Sequence, residues 1–81
     1  MVVPRFGTAE AVESYVARVR ALAETPSEVA IARLVRQWAR WHYRWSTKPT
    51  AANDRREHAA WNRVRGALAD ADMDDTWLDP R

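Results

Sequence analysis

At Thr25-Pro26-Ser27-Glu28 the chain spells out the start of a helix. Threonine can cap the first turn, proline suits the first helical position, and a glutamate three residues after the cap can return a hydrogen bond to it, completing a capping box. An apolar helical period already runs through Val12, Tyr15, Val16, Val19 and Leu22 to about Ala23. One helix must therefore stop and another begin within two or three residues. So short a connection leaves an antiparallel helical hairpin or the sharper corner of DNA-reading helix pairs.

The second helix carries the strongest pattern. Over Ile31–Trp45, the residues Ile31, Leu34, Trp38, Trp41 and Trp45 recur at spacings of three and four, which keeps them on one helical face. Arg33, Arg36, Arg40 and Arg44 follow nearly the same period, roughly 140–150° around the helix from the tryptophan row. One face is built for burial and the other for water or an anionic partner.

The remaining punctuation is sparse. Thr8 can cap the first helix, with Glu10 and Glu13 near the positive end of its dipole. Ahead of it, Met1–Gly7 reads as an extended lead-in, since Pro4 disfavours helix at Val3. Ser46–Thr50 is the one convincing internal loop, broken by Pro49. A third helix starts at Thr50 or Asn53 and turns Glu57, Trp61, Val64, Leu68 and Ala71 to one side, with Ala60 and Ala67 beside them. Gly66 interrupts it at a cost of about 1 kcal/mol relative to alanine, which a closely approaching neighbour helix would explain. The expected fold is all-α: a small three-helix bundle, helices at about 8–23, 26–45 and 51–70, with a short extended N-terminus. Residues 1–70 form a single helical domain in this reading, and 71–81 an acidic-hydrophobic C-terminal tail.

A chain of 81 residues makes one domain at most and buries little surface. It has no cysteine, so disulfides and thiolate zinc sites are excluded as braces. Its five tryptophans are the substitute, each indole removing roughly 150–250 Å² from water when buried. Self-association is a second route to burial, so a homodimer stays open. The net charge of +2 conceals a partition. Residues 1–30 carry −1, residues 31–65 carry +7 and residues 66–81 carry −4. The opening Met1-Val2-Val3-Pro4 lacks the basic and apolar regions of a signal peptide, and no apolar run is long enough to span a membrane. The expectation is a cytoplasmic protein without a membrane role.

The chemical inventory is thin. His42 and His58 would need a loop to bring them together and a carboxylate as third ligand before they could hold a metal. Asp70, Asp72 and Asp74 copy the first ligand positions of a calcium loop, but its sixth position is Asp75 instead of glycine and its twelfth is Arg81 instead of glutamate. There is no phosphate-cradling glycine loop, no cysteine nucleophile and no HExxH. No cofactor, metal or catalytic residue is expected, and the chain is read as a non-enzyme.

What remains is binding. The expected face comprises Arg33, Arg36, Arg40, Tyr43 and Arg44 of the second helix with Arg55, Arg56 and Arg63 of the third. Met73, Trp77 and Leu78 are the expected anchors of the tail, which could lie along the basic face of its own chain. The leading expectation is a regulator or inhibitor acting through contacts with a protein partner or with itself, of a size that suits phage- or mobile-element-type proteins. The alternative is a nucleic-acid-binding regulator using the same arginines against phosphates. The plain alternative to both is an arginine face that meets only solvent.

Overall fold

The computed structural model describes residues 5–78 and is a three-helix bundle. The start of the expected lead-in, residues 1–4, and the end of the tail, residues 79–81, lie outside the described residues. Helix α1 spans Ala9–Leu22, α2 Pro26–Thr47 and α3 Ala51–Asp70, followed by a short 3-10 turn at Asp75–Leu78. No strand occurs among the described residues.

The caps set the boundaries. The Thr8 hydroxyl accepts from the Ala11 N–H at 3.1 Å. At the second start the capping box is complete: the Glu28 N–H donates to the Thr25 hydroxyl at 3.2 Å, and the Glu28 carboxylate accepts from the Thr25 N–H at 2.9 Å. Those backbone bonds, first from Thr25 and then from Glu24, hold the Glu28 carboxyl below its ordinary pKa. Thr50 rather than Asn53 caps α3. Asn53 is buried and donates its side-chain amide to the Lys48 carbonyl at 2.9 Å, tying the loop to the helix. Helix α2 runs two residues past the expected Trp45. The Ser46 and Thr47 hydroxyls bond back to the Tyr43 and Arg44 carbonyls, and the Lys48 N–H closes on Arg44, so the turn continues until Pro49 stops it.

Both flanking helices pack on α2, and both run antiparallel to it. Ala9 faces Thr47 across one groove, and Ser27 faces Asp70 across another. The core comprises Val12, Tyr15 and Val19 of α1, Ile31, Ala32, Val35, Trp38 and Ala39 of α2, Ala60, Val64 and Leu68 of α3, and Leu78. The buried stripe of α2 is thus rotated from the tryptophan row. Ala32 and Ala39 are buried, whereas Leu34, Trp41 and Trp45 are half-buried. Alanine admits a close neighbour: Ala32 lies by Val16 and Ala17 of α1. The bulky residues are left to the flank that meets α3, where the Trp38 and Trp61 rings pack at a 45° tilt with centroids 5.0 Å apart.

Gly66 departs from expectation. A methyl group built on it meets nothing within 4 Å, so no neighbouring helix approaches there. The chain reverses instead just after α3. Asp72 adopts a left-handed conformation with φ 55, the Met73 N–H bonds to the Leu68 carbonyl at 2.9 Å, and the Asp72 N–H bonds to Ala69 at 3.1 Å. This is a Schellman ending, and it directs the following residues back over the bundle. Leu78 is 1% exposed, and its carbonyl accepts from the Tyr15 hydroxyl at 2.7 Å.

Candidate functional site

The arginine row of α2 lies beside the α1–α2 seam, with Arg33, Arg36, Arg40 and Arg44 all exposed. Two shallow grooves follow that seam. One, of about 260 Å³, is lined by Val12 and Glu13 of α1 and by Arg40, Tyr43 and Arg44 of α2. The other, of about 300 Å³, is lined by Val16 and Arg20 of α1 with Ala32, Arg33 and Arg36 of α2. Each has an apolar floor with arginines of α2 on one wall and Glu13 of α1 on the other, suited to an amphipathic contact carrying negative charge toward α2. Tyr43 is half-buried and gives the first groove an aromatic wall.

Glu13 partly neutralises the row, accepting from Arg40 Nη2 at 3.0 Å and Nε at 3.2 Å. Both side chains are at least half exposed, so the pair contributes about 0–1 kcal/mol and leaves the guanidinium available. Glu13 had appeared in the sequence only as a helix-dipole residue. Arg33, Arg36 and Arg44 have no carboxylate partner among the described residues.

The crossing of α2 and α3 joins the row to the third helix through Trp41. The Arg44 guanidinium lies 4.8 Å from the Trp41 ring centroid and that of Arg56 lies 5.1 Å from it. Two cations from different helices thus share one half-buried indole, each contact worth about 0.5–1 kcal/mol at a solvent-facing site. Arg63, two turns after Arg56, follows it along the same side of α3. Arg55 is turned roughly 100° away and stands apart from the cluster. The structure therefore unites Arg33, Arg36, Arg40, Tyr43, Arg44 and Arg56, continues them with Arg63, and separates Arg55. Trp41, assigned to the core by its spacing, is the platform of the face.

The tail anchors go elsewhere. Met73 and Trp77 pack partly buried against the core and Leu78 lies within it, instead of along the arginine row. Asp74 is fixed by its own turn, accepting from the Thr76 hydroxyl and, at 3.0 Å, from the Thr76 N–H. Those two bonds, the hydroxyl first, lower its pKa.

A polar cluster missed in the sequence lies under the α2–α3 seam. Trp38 Nε1 donates to Glu57 Oε1 at 2.8 Å. The His42 ring packs among Phe6, Trp38 and Trp45, and its buried Nδ1 lies 3.4 Å from that same oxygen without hydrogen-bond alignment. His58 Nδ1 is 3.8 Å from Glu57 Oε2, so the fold does draw the two histidines toward one carboxylate. Even so, no group of three or more His, Asp or Glu residues among the described residues is arranged to hold a metal ion. His58 is instead engaged by Asp54, whose carbonyl lies 3.0 Å from Nδ1 and whose carboxylate lies 3.3 Å from it. The carbonyl first and the carboxylate second raise its pKa above the ordinary histidine value.

No helix among the described residues is long and apolar enough to cross a membrane. Compared with protein-family models, with curated proteins and with solved structures, the chain matches none.

Proposed function

We infer that this is a non-enzymatic helical binding protein that engages an acidic protein partner, as its regulator or inhibitor, through the arginine–tryptophan face of α2 and α3. The observation that carries this reading is Trp41 held between Arg44 and Arg56 from two helices. Tryptophan, tyrosine and arginine are the residues that dominate the energy of protein interfaces, and an indole already half-buried loses little freedom on contact. The grooves beside it add apolar floors that a carboxylate-bearing helix or strand can cover. A cytoplasmic setting agrees with a cysteine-free chain.

Nucleic acid is the second reading, favoured by the four exposed arginines on successive turns of α2. A photo-reactive phenylalanine analogue at exposed position 37, one turn before Trp41 on α2, activated in cells, separates the two. A discrete protein adduct that survives nuclease treatment and disappears in Trp41→Ala/Arg56→Glu supports the protein reading. Adducts that collapse on nuclease treatment, matched by salt-sensitive gel shifts lost in Arg36→Ala/Arg40→Ala, would overturn it in favour of nucleic acid.

A further inference from the structure

We propose that one partner of the arginine–tryptophan face is the acidic end of a second copy of this chain, so that molecules associate head to tail. The inference rests on reading that face as an interaction surface and names an occupant for it.

The antiparallel packing sets Arg44 and Arg56 at the opposite end of the bundle from the acidic residues that follow α3, although Arg20 in the last turn of α1 also lies toward that acidic end. Arg44, near the end of α2, and Arg56, near the start of α3, lie at one end of a body whose longest extent is 35 Å. The start of α2 and the end of α3 meet at the other end, where Ser27 lies across from Asp70. Glu24, Asp70 and Asp72 are exposed there. Among the described residues, no ion pair engages Glu24, Asp70 or Asp72. The last turn of α3 contains no basic residue to offset either these charges or the negative end of its own dipole. Charges at the two ends are too far apart to satisfy each other, because the screening length at physiological salt is about 8 Å. A neighbouring molecule can satisfy both.

The acidic end also has a shape that suits a guanidinium. A hollow of about 230 Å³ is floored by Ala30, Ile31, Ala67 and Ala71, with Asp70 on its rim. The small floor leaves room for an arginine stem, and the Asp70 carboxylate offers a two-pronged acceptor for the head. The donating and receiving surfaces are different patches at opposite ends, so a head-to-tail contact is heterologous and grows into open chains unless its rotation closes a ring. The small net charge of +2 does little to oppose such growth.

Sedimentation velocity on the purified full chain tests this, run over a range of protein concentrations at about 50 mM and 500 mM salt. The expected result is an average mass that climbs continuously with concentration at low salt and falls toward the monomer at high salt. Arg44→Glu/Arg56→Glu and Asp70→Lys/Asp72→Lys should each weaken association by about tenfold or more. An equimolar mixture of the two should recover it, because each variant retains one native end and the two reversed ends also match. Circular dichroism checks that each variant keeps its helices; Arg44→Gln/Arg56→Gln and Asp70→Asn/Asp72→Asn replace any variant that does not. A monomeric wild type at low salt and high concentration overturns the proposal, as does association that ignores both substitutions or is not recovered in the mixture. Binding of a labelled oligoglutamate peptide, measured in parallel, reports on the face itself. A monomer that binds the peptide would remove self-association and leave the binding role standing, whereas loss of both would remove the two together.

Discussion

The Trp38 indole nitrogen and the Glu57 carboxylate meet at 2.8 Å across the α2–α3 seam, in a cluster where Trp38 is 1% exposed. An indole N–H can only donate, so Glu57 supplies the acceptor that a tryptophan buried to this depth needs. Replacing Glu57 with alanine should cost about 1.5–3 kcal/mol in urea unfolding, the range for a hydrogen bond to a charged group. Glu57→Gln keeps an acceptor oxygen and should cost less. Equal losses for the two variants would show that the bond to Trp38 does not set the stability here.

The Tyr15–Leu78 pair gives the tail a structural weight that its acidity conceals. Leu78→Ala should destabilise the bundle by about 2–5 kcal/mol, as removal of a fully buried leucine does. Tyr15→Phe leaves the Leu78 carbonyl without its 2.7 Å donor and should cost about 1–3 kcal/mol. Thermal unfolding followed by circular dichroism measures both. A Leu78→Ala variant as stable as wild type would mean that the turn contributes nothing to the core.

Two backbone positions can be improved. Gly66 sits mid-helix with open space around it, so Gly66→Ala should stabilise by about 1 kcal/mol. Asp72 occupies the left-handed position that glycine fills without strain, so Asp72→Gly should gain up to about 1 kcal/mol. The positions are six residues apart and a methyl group on Gly66 meets nothing within 4 Å, so the double variant should show the sum in its denaturation midpoint.

Histidine 58 makes stability depend on pH. Its folded pKa is raised, first by the Asp54 carbonyl and next by the Asp54 carboxylate, so the protonated ring is favoured in the folded state. The stabilisation is complete below the unfolded value of about 6.5 and fades as pH rises through the higher folded value. NMR titration should give a midpoint above that of a free histidine, and the His58→Gln variant should lose less stability than wild type between pH 6 and pH 8. A normal midpoint would show that Asp54 does not hold the ring in solution.

Local chemistry explains which features were legible in the sequence. Thr8, Thr25, Pro26, Glu28, Pro49 and Thr50 act on the backbone within four residues of themselves, and the three helices begin where those residues place them. Periodicity fared less well on α2, because it ranks residues by hydrophobicity whereas packing also selects for size. Ala32 and Ala39 won the buried stripe, and Trp41 and Trp45 were displaced to a flank. The gathering of Arg44 and Arg56 on Trp41, and of His42 and Trp38 on Glu57, depends on how two helices cross. No spacing within either helix encodes that crossing.

The hydrogen bond from Tyr15 to Leu78 spans 63 positions of the chain, whereas α1, α2 and α3 each meet a neighbour joined by a short loop. Closing so long a separation is entropically costly until the rest of the bundle already holds Tyr15 in place. The two helical hairpins are therefore expected to assemble first, with the final turn clipping on last. A clip that closes last is also the first to open. Amide exchange should be fastest, among the ordered elements, at Thr76–Leu78 and slowest along the middle of α2. Such an opening would uncap the core at Tyr15 while the helices stay formed, so the Asp75–Leu78 turn is where this protein should begin to come apart.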